Sequence, residues 1–323
     1  MPIAYQLQNE HGYANHRYQP PVHHFLTTFA QEKLTRENVM EKLGIEALPE
    51  MARQVRRDAV RMVHGAQSGH PGGALSCADY LTLLYFYEMD YTPSPFSRRG
   101  DNEDCFFLSN GHVSAAWYSV LARSGHFAVS DLSGFRKLGS QLQGHPTPAE
   151  GLPGIRIASG SLGQGLSAGC GMALAKRLNK DAHFVYTLHG DGELQEGQIW
   201  EAAMFAAARK IDNLIAAVDY NKIQIDGTTD EVNSLGELGE KWKAFGWNVF
   251  EVPGHDFDAM HDAITAAKER RGSGKPSVLL LHTTIGKGVD FMENKSSWHG
   301  KAPSDEQLQA ALSQLPPTQY GNY

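Results

Sequence analysis

The sequence predicts an α/β protein, a doubly wound parallel sheet with helices on both faces. Two patterns carry that prediction: short continuous apolar runs bounded by turn residues, and amphipathic stretches of helical period between them. A third observation is positional. Gly, His, Asp and Asn gather directly after the apolar runs, at the carboxyl ends of strands, where open parallel sheets bind ligands.

Taken in order, apolar residues recur at helical spacing at Leu48, Met51, Val55, Ala59 and Met62, with Pro49 in the first turn, so a helix is expected over 48–64. A second helix is expected over 76–87. Cys105–Leu108 reads as a short buried strand that runs into Ser109-Asn110-Gly111-His112 and then an apolar helix through Leu121. Further strands are expected at 183–188, 214–218, 248–252 and 278–282. Helices lie between them at 196–209, 235–245 and 257–270, with a short one at 304–314. Residues 1–45 stand apart, rich in Gln, Asn, His, Tyr and Pro without sustained periodicity. They are expected to form an irregular arm or to wrap a partner, with 46–323 a single α/β domain ending in a short polar tail. The arm's His11, His16, His23 and His24 show no metal-site spacing.

The 323 residues are 41% hydrophobic and 20% charged, ordinary for a domain with a full core. A net charge of −7 offers no general attraction to nucleic acid or anionic lipid, so neither a nucleic acid nor a membrane is expected as partner, and anions must be held by local devices. Cys77, Cys105 and Cys170 form no CxxC, which argues against a disulfide framework or structural zinc and for buried free thiols. No apolar run reaches the ~18 residues of a membrane span. Residues 1–10 lack the basic and apolar regions of a signal peptide, and a cytoplasmic protein is expected.

Neither GxxxxGK[ST] nor a GxGxxG following a strand is present, which removes the main sequence grounds for a P-loop, NAD or FAD site. Gly160-Ser161-Leu162-Gly163-Gln164-Gly165 opens a small-residue helix continuing through Ala168, Gly169 and Ala173. Its glycines serve either close ligand approach or tight packing on the sheet. The stronger signal is His189-Gly190-Asp191-Gly192, directly after an apolar run, with a second strand ending at Asp219-Tyr220-Asn221. Asp191 and Asn221 are 30 positions apart, about one strand–helix–strand crossover, which sets two parallel strand ends side by side. A carboxylate and an amide oxygen would converge there, hard donors suited to Mg²⁺ or Ca²⁺.

These residues resemble the metal–diphosphate motif of thiamin diphosphate enzymes, and the surrounding blocks are similar to transketolase. They are Ser68-Gly69-His70-Pro71-Gly72, Leu108 to His112, Gly144-His145-Pro146, Gly160 to Gly165, Gly190 to Gly197, Asn221-Lys222-Ile223 and Trp298-His299-Gly300. Their order matches the family over roughly residues 50–305. The resemblance implies the thiamin diphosphate-binding fold of the diphosphate-type domain. It implies a metal held by Asp191, Asn221 and the Ile223 carbonyl, Gly192 admitting the diphosphate, and Gly160 and Leu162 against the cofactor rings. His112 and His299 would contact diphosphate or bound donor, and His70 and His145 would line the substrate channel. Glu196 would sit at the subunit contact, with Glu201 beside it. Neutral histidines on loops also suit ketol transfer independently, since they can donate to oxygens and exchange protons near pH 7. Ser161 departs from the proline common in full-length members and is read as a subfamily trait.

In the family the glutamate that activates the cofactor lies in a second domain, for which no length remains before Tyr323. The expectation is therefore the N-terminal subunit of a split transketolase, active only with a separate C-terminal subunit, two copies of each, moving a two-carbon ketol unit between sugar phosphates. Alternatives on the same scaffold are a 1-deoxyxylulose-phosphate synthase-like or 2-oxo acid dehydrogenase-type subunit, or a non-catalytic scaffolding homologue, and a fragment of a longer protein is the alternative account of the missing domain. Intact Asp191, Asn221 and His112 argue against the scaffolding homologue. The donor and acceptor are not legible, and a sulfonated or branched sugar stays open.

Overall fold

Five strands form one parallel sheet in a computed structural model that describes residues 42–323. They are β1 (Cys105–Leu108), β2 (Val185–Gly190), β3 (Leu214–Tyr220), β6 (Asn248–Pro253) and β7 (Ser277–His282), in the order β1-β2-β3-β7-β6. Two further strands, β4 (Ile223–Gln224) and β5 (Gly227–Thr228), make a small antiparallel hairpin. The arm expected over 1–45 lies outside the described residues apart from 42–45.

The apolar runs are continuous because both faces of the sheet are covered, and alternate residues feed opposite cores. Phe106, Leu108, Tyr186, Leu188, Ile215, Ala217, Leu279 and Leu281 pack beneath α1 (Leu48–Ala66), α3 (Ala78–Leu83), α4 (Ser114–Arg123) and α9 (Phe257–Glu269). Cys105, Phe107, Val185, Leu214, Ala216, Val218, Val278 and Leu280 meet α5 (Gly165–Leu178), α6 (Gly197–Ala208) and α8 (Leu238–Ala244) on the other face. A smaller cluster of Val60, Leu75, Trp298, Ala311 and Leu315 seats α10 (Asp305–Gln314) against α1. All three cysteines are buried free thiols, and among the described residues no helix is long and apolar enough to cross a membrane.

Three expected elements shift. The helix expected over 76–87 starts earlier, as α2 (Pro71–Ser76), breaks at Cys77, resumes as α3 and closes in a wide π turn, Leu84–Glu88. Pro71 supplies a preset φ for the first turn, and the Ser76 hydroxyl at the break donates to the Asp219 carboxylate at 2.5 Å. Residues 183 and 184 precede β2 as irregular chain, their N–H groups taken by side chains rather than the sheet: His183 N–H by Asp181 at 2.9 Å and Phe184 N–H by Asp104 at 2.7 Å. The helix expected from 235 begins at Leu238, after Gly236 takes a left-handed φ of 55°. The hairpin and α7 (Thr229–Asn233) were not expected.

One buried charge network ties α1 to α4. Asp58, fully buried, accepts from Gln54 Nε2 at 2.8 Å, Ser119 Oγ at 2.7 Å and the Arg123 guanidinium at 2.5 and 3.1 Å. Arg123 also donates to the Gly321 carbonyl at 2.9 Å, fastening the chain end. Asp58→Ala strands a buried guanidinium and should destabilise the fold by about 3–5 kcal/mol in urea titration, with Asp58→Asn costing less.

Candidate active site

β2 and β3 run in a register that pairs Gly190 with Asp219, so the residues leaving both strands, Asp191 and Asn221, come out side by side. Asp191 is buried. Its Oδ1 accepts the Gly192 N–H at 2.7 Å, and its Oδ2 accepts the Lys222 N–H. Lys222 takes a left-handed φ of 66°, turning the chain back into the β4–β5 hairpin. Asn221 Nδ2 donates to Asp219 Oδ2 at 3.1 Å, which fixes the amide orientation and leaves Oδ1 as an acceptor, touched by the Ile223 N–H at 3.0 Å.

Sequence reasoning missed Asp219, which is buried and accepts from Ser76 Oγ and Thr283 Oγ1, both at 2.5 Å. Two buried carboxylates thus adjoin with no lysine or arginine paired to either among the described residues. Burial first, and then the Asp219 charge, push the Asp191 carboxyl up to about 7; burial pushes Asp219 up as well.

It missed Glu193 too. This carboxylate is buried and collects donors from three segments: Ser109 Oγ after β1, the Gly163 N–H at 2.8 Å before α5, and the Gly190 N–H at 3.0 Å at the end of β2. These bonds and His189 hold its carboxyl below the usual range in spite of burial. No spacing or composition signals this residue, because it sits one turn from Asp191 in a stretch that reads as a polar loop.

The glycines of 160–165 divide between the two roles left open. A methyl at Gly165 would overlap Ser109, and one at Gly169 would come within 2.6 Å of Thr187 Cγ2, so both are packing positions. Gly163 needs its left-handed φ of 84°. Gly160, whose nearest neighbour would be His145 Cβ at 3.7 Å, instead lines open space.

That space is a cavity of about 390 Å³. His70, His112, His145, His299, Gly160, Leu162, Asp191, Gly192, Glu196, Asn221 and Ile223 all line it, as do Asn110, Glu193, Gln224 and Ile225. Glu201 does not; it lies exposed on α6. The His70 ring is 5.1 Å from His112, 5.7 Å from His299 and 6.3 Å from His145, centroid to centroid, and His112 is 5.1 Å from His299. Burial pushes His70 down to about 4, aided by His299, Arg136 and His145. Burial lowers His112 and His299 as well, and burial with Arg136 lowers His145. All four are neutral at pH 7, each with one donor and one acceptor nitrogen. His70 Nδ1, His299 Nδ1 and Asn110 Oδ1 are buried without a partner, so the cavity wall has unmet hydrogen-bonding capacity.

The profile of the family described as transketolase, thiamine diphosphate binding domain, matches residues 48–318. This chain belongs to that family. Among transketolase relatives, the 6-deoxy-6-sulfo-D-fructose transketolase subunit SqwG of Clostridium sp. (strain MSTE9) is 42% identical, over 83% of this chain and 96% of its own. An apulose-4-phosphate transketolase subunit from Phocaeicola vulgatus is 40% identical, over 84% and 95%. The transketolase structure from Campylobacter jejuni superposes with a TM-score of 0.78 at 34% identity, covering 84% of this chain and 43% of that one. The chain therefore spans under half of that transketolase and nearly all of the two subunits.

Glu193→Ala should leave three donors of this transketolase-family site unsatisfied and cost about 2–4 kcal/mol, read by urea denaturation. Glu193→Gln, which keeps the shape but turns an NH₂ toward those donors, should fall between.

Proposed function

We propose that this chain is the cofactor-anchoring subunit of a two-chain transketolase, moving a two-carbon ketol unit from a ketose phosphate to an aldose phosphate. The observation that carries the reading is one cavity lined both by Asp191, Asn221 and Ile223 and by four neutral histidines. Thiamin diphosphate and a divalent cation fit it by three features. The oxygen donors belong to a buried carboxylate with no paired cation, Gly160 leaves backbone uncovered, and orphaned polar atoms face inward.

Asp191, Asn221 Oδ1 and the Ile223 carbonyl would hold Mg²⁺ (or Ca²⁺), with Gly192 admitting the diphosphate. Gly160 and Leu162 would pack against the cofactor rings. When bound, thiamin diphosphate supplies the nucleophilic carbon and electron sink that ketol transfer needs. His112 and His299 would donate to diphosphate or donor oxygens. His70, His145 and His299 would orient the sugar hydroxyls and carbonyl and shuttle protons there, a role open to imidazoles that are neutral at pH 7. Glu196, exposed at the cavity rim, would meet a neighbouring subunit, which makes it catalytic only in the assembly. The relatives named as subunits support a separate C-terminal partner and a phosphorylated or sulfonated sugar as substrate, and two copies of each chain would complete the assembly.

Native mass spectrometry of the assembly from its own cells should show a second chain with thiamin diphosphate and metal bound. A chain without either would sink the reading. In that assembly Asp191→Ala should abolish metal-dependent retention of thiamin diphosphate, measured by equilibrium dialysis. His145→Ala should lower kcat by roughly a hundredfold while cofactor affinity stays within about twofold.

A further inference from the structure

Arg136 occupies a left-handed backbone conformation, φ 55°, which a non-glycine residue holds only when its surroundings enforce it. Its N–H bonds the Leu142 carbonyl at 2.8 Å, closing the loop between them. From there Nη1 donates to Ser68 Oγ at 2.8 Å, two residues before His70, and Nη2 faces the Gly144 carbonyl at 3.4 Å, one residue before His145. The guanidinium packs against Gly144: a Cβ there would come within 2.8 Å of Cζ and Nε. Buried Phe135, the preceding residue, has its ring centroid 5.5 Å from Arg136 Cζ and lies 3.4 Å from where a Gly69 Cβ would stand.

We infer that Arg136 is a positioning residue of the transfer reaction, its guanidinium bracing at a single point the two loops that carry His70 and His145. The inference rests on the ketol-transfer reading of the cavity. Two loops approached from one side need two donors at fixed spacing, which a planar guanidinium supplies and a single ammonium does not. No carboxylate pairs with Arg136 among the described residues, so no opposite charge in contact offsets its effect on the histidines. His70 is faced by His112, His299, His145 and this arginine, and His145 by His70 and this arginine. After burial, Arg136 is one of the charges that lowers both, keeping a donor and an acceptor nitrogen on each ring.

The test has two readouts. Histidine side-chain NMR titration of the purified chain reads the electrostatic contact without any turnover. Arg136→Gln should raise the midpoints of His70 and His145 by about one pH unit. His126, lowered by burial and Arg156 instead, should not move. In the assembled enzyme, Arg136→Gln should lower kcat roughly ten- to a hundredfold. Its acid limb should move to higher pH, since imidazoles of raised pKa are lost to protonation sooner, and thiamin diphosphate affinity should hold. Arg136→Lys keeps the charge, so the midpoints should stay while kcat falls; it also carries the test if the glutamine variant does not fold. Unmoved midpoints with Arg136→Gln, or wild-type kcat with either variant, overturn the inference. If the wild-type assembly transfers no ketol unit, the function reading fails, while the midpoints still decide whether Arg136 acts on both histidines.

Discussion

The site depends on the parallel pairing of β2 with β3. Because Gly190 stands opposite Asp219, the chain leaves both strands at the same height, and the turns after them must share one space. A slip of one residue would send Asp219 to the other face and separate it from Ser76, Thr283 and Asn221. The register is secured by what each strand buries. Leu188 and Ala217 feed one core while Val185 and Val218 feed the other, so the apolar pattern that folds the sheet also aligns its polar ends.

Around that pair the protein uses fixed hydrogen bonds to convert loops into a wall. Glu193 joins the segments after β1, before α5 and at the end of β2, so Asn110–His112, Gly160–Gly163 and Asp191 cannot shift independently. Asp219 orients Asn221 in the same manner. Arg136 spans from Ser68 toward Gly144, with no carboxylate paired to it among the described residues. Each is a single charged group serving several loops, and loops are otherwise the most mobile part of a fold.

The five strands and the pairing of Asp191 with Asn221 were legible in the sequence because they follow from periodicity and crossover length. The histidines and glycines lining the cavity came from block order, since no local pattern distinguishes His112 from a surface loop histidine. Glu193 and Asp219 were illegible for a physical reason. A carboxylate beside a strand end is ordinarily solvated, and only the three-dimensional convergence of Ser109, Gly163 and Gly190, or of Ser76 and Thr283, makes its burial tolerable. The break at Cys77 was hidden likewise, being set by a contact 143 positions away, Ser76 to Asp219.

Burial is the largest influence on Asp191 and on the histidines of this cavity, and it pushes the two kinds of group in opposite directions. The Asp191 and Asp219 carboxyls rise, Asp191 to about 7, and the imidazoles fall, His70 to about 4, whereas the Glu193 carboxyl stays below the usual range. A dication held at Asp191, as proposed, would favour the ionised carboxylate and would itself be favoured by an anionic diphosphate. The histidines must not follow that change, because an imidazolium there has no acceptor nitrogen left. Arg136 beside His70 and His145 opposes it, a fixed positive charge that makes a second one unfavourable. The carboxylates and the histidines can therefore be tuned separately within one cavity, the former answering to what binds and the latter lowered by burial, with Arg136 adding to it at His70 and His145.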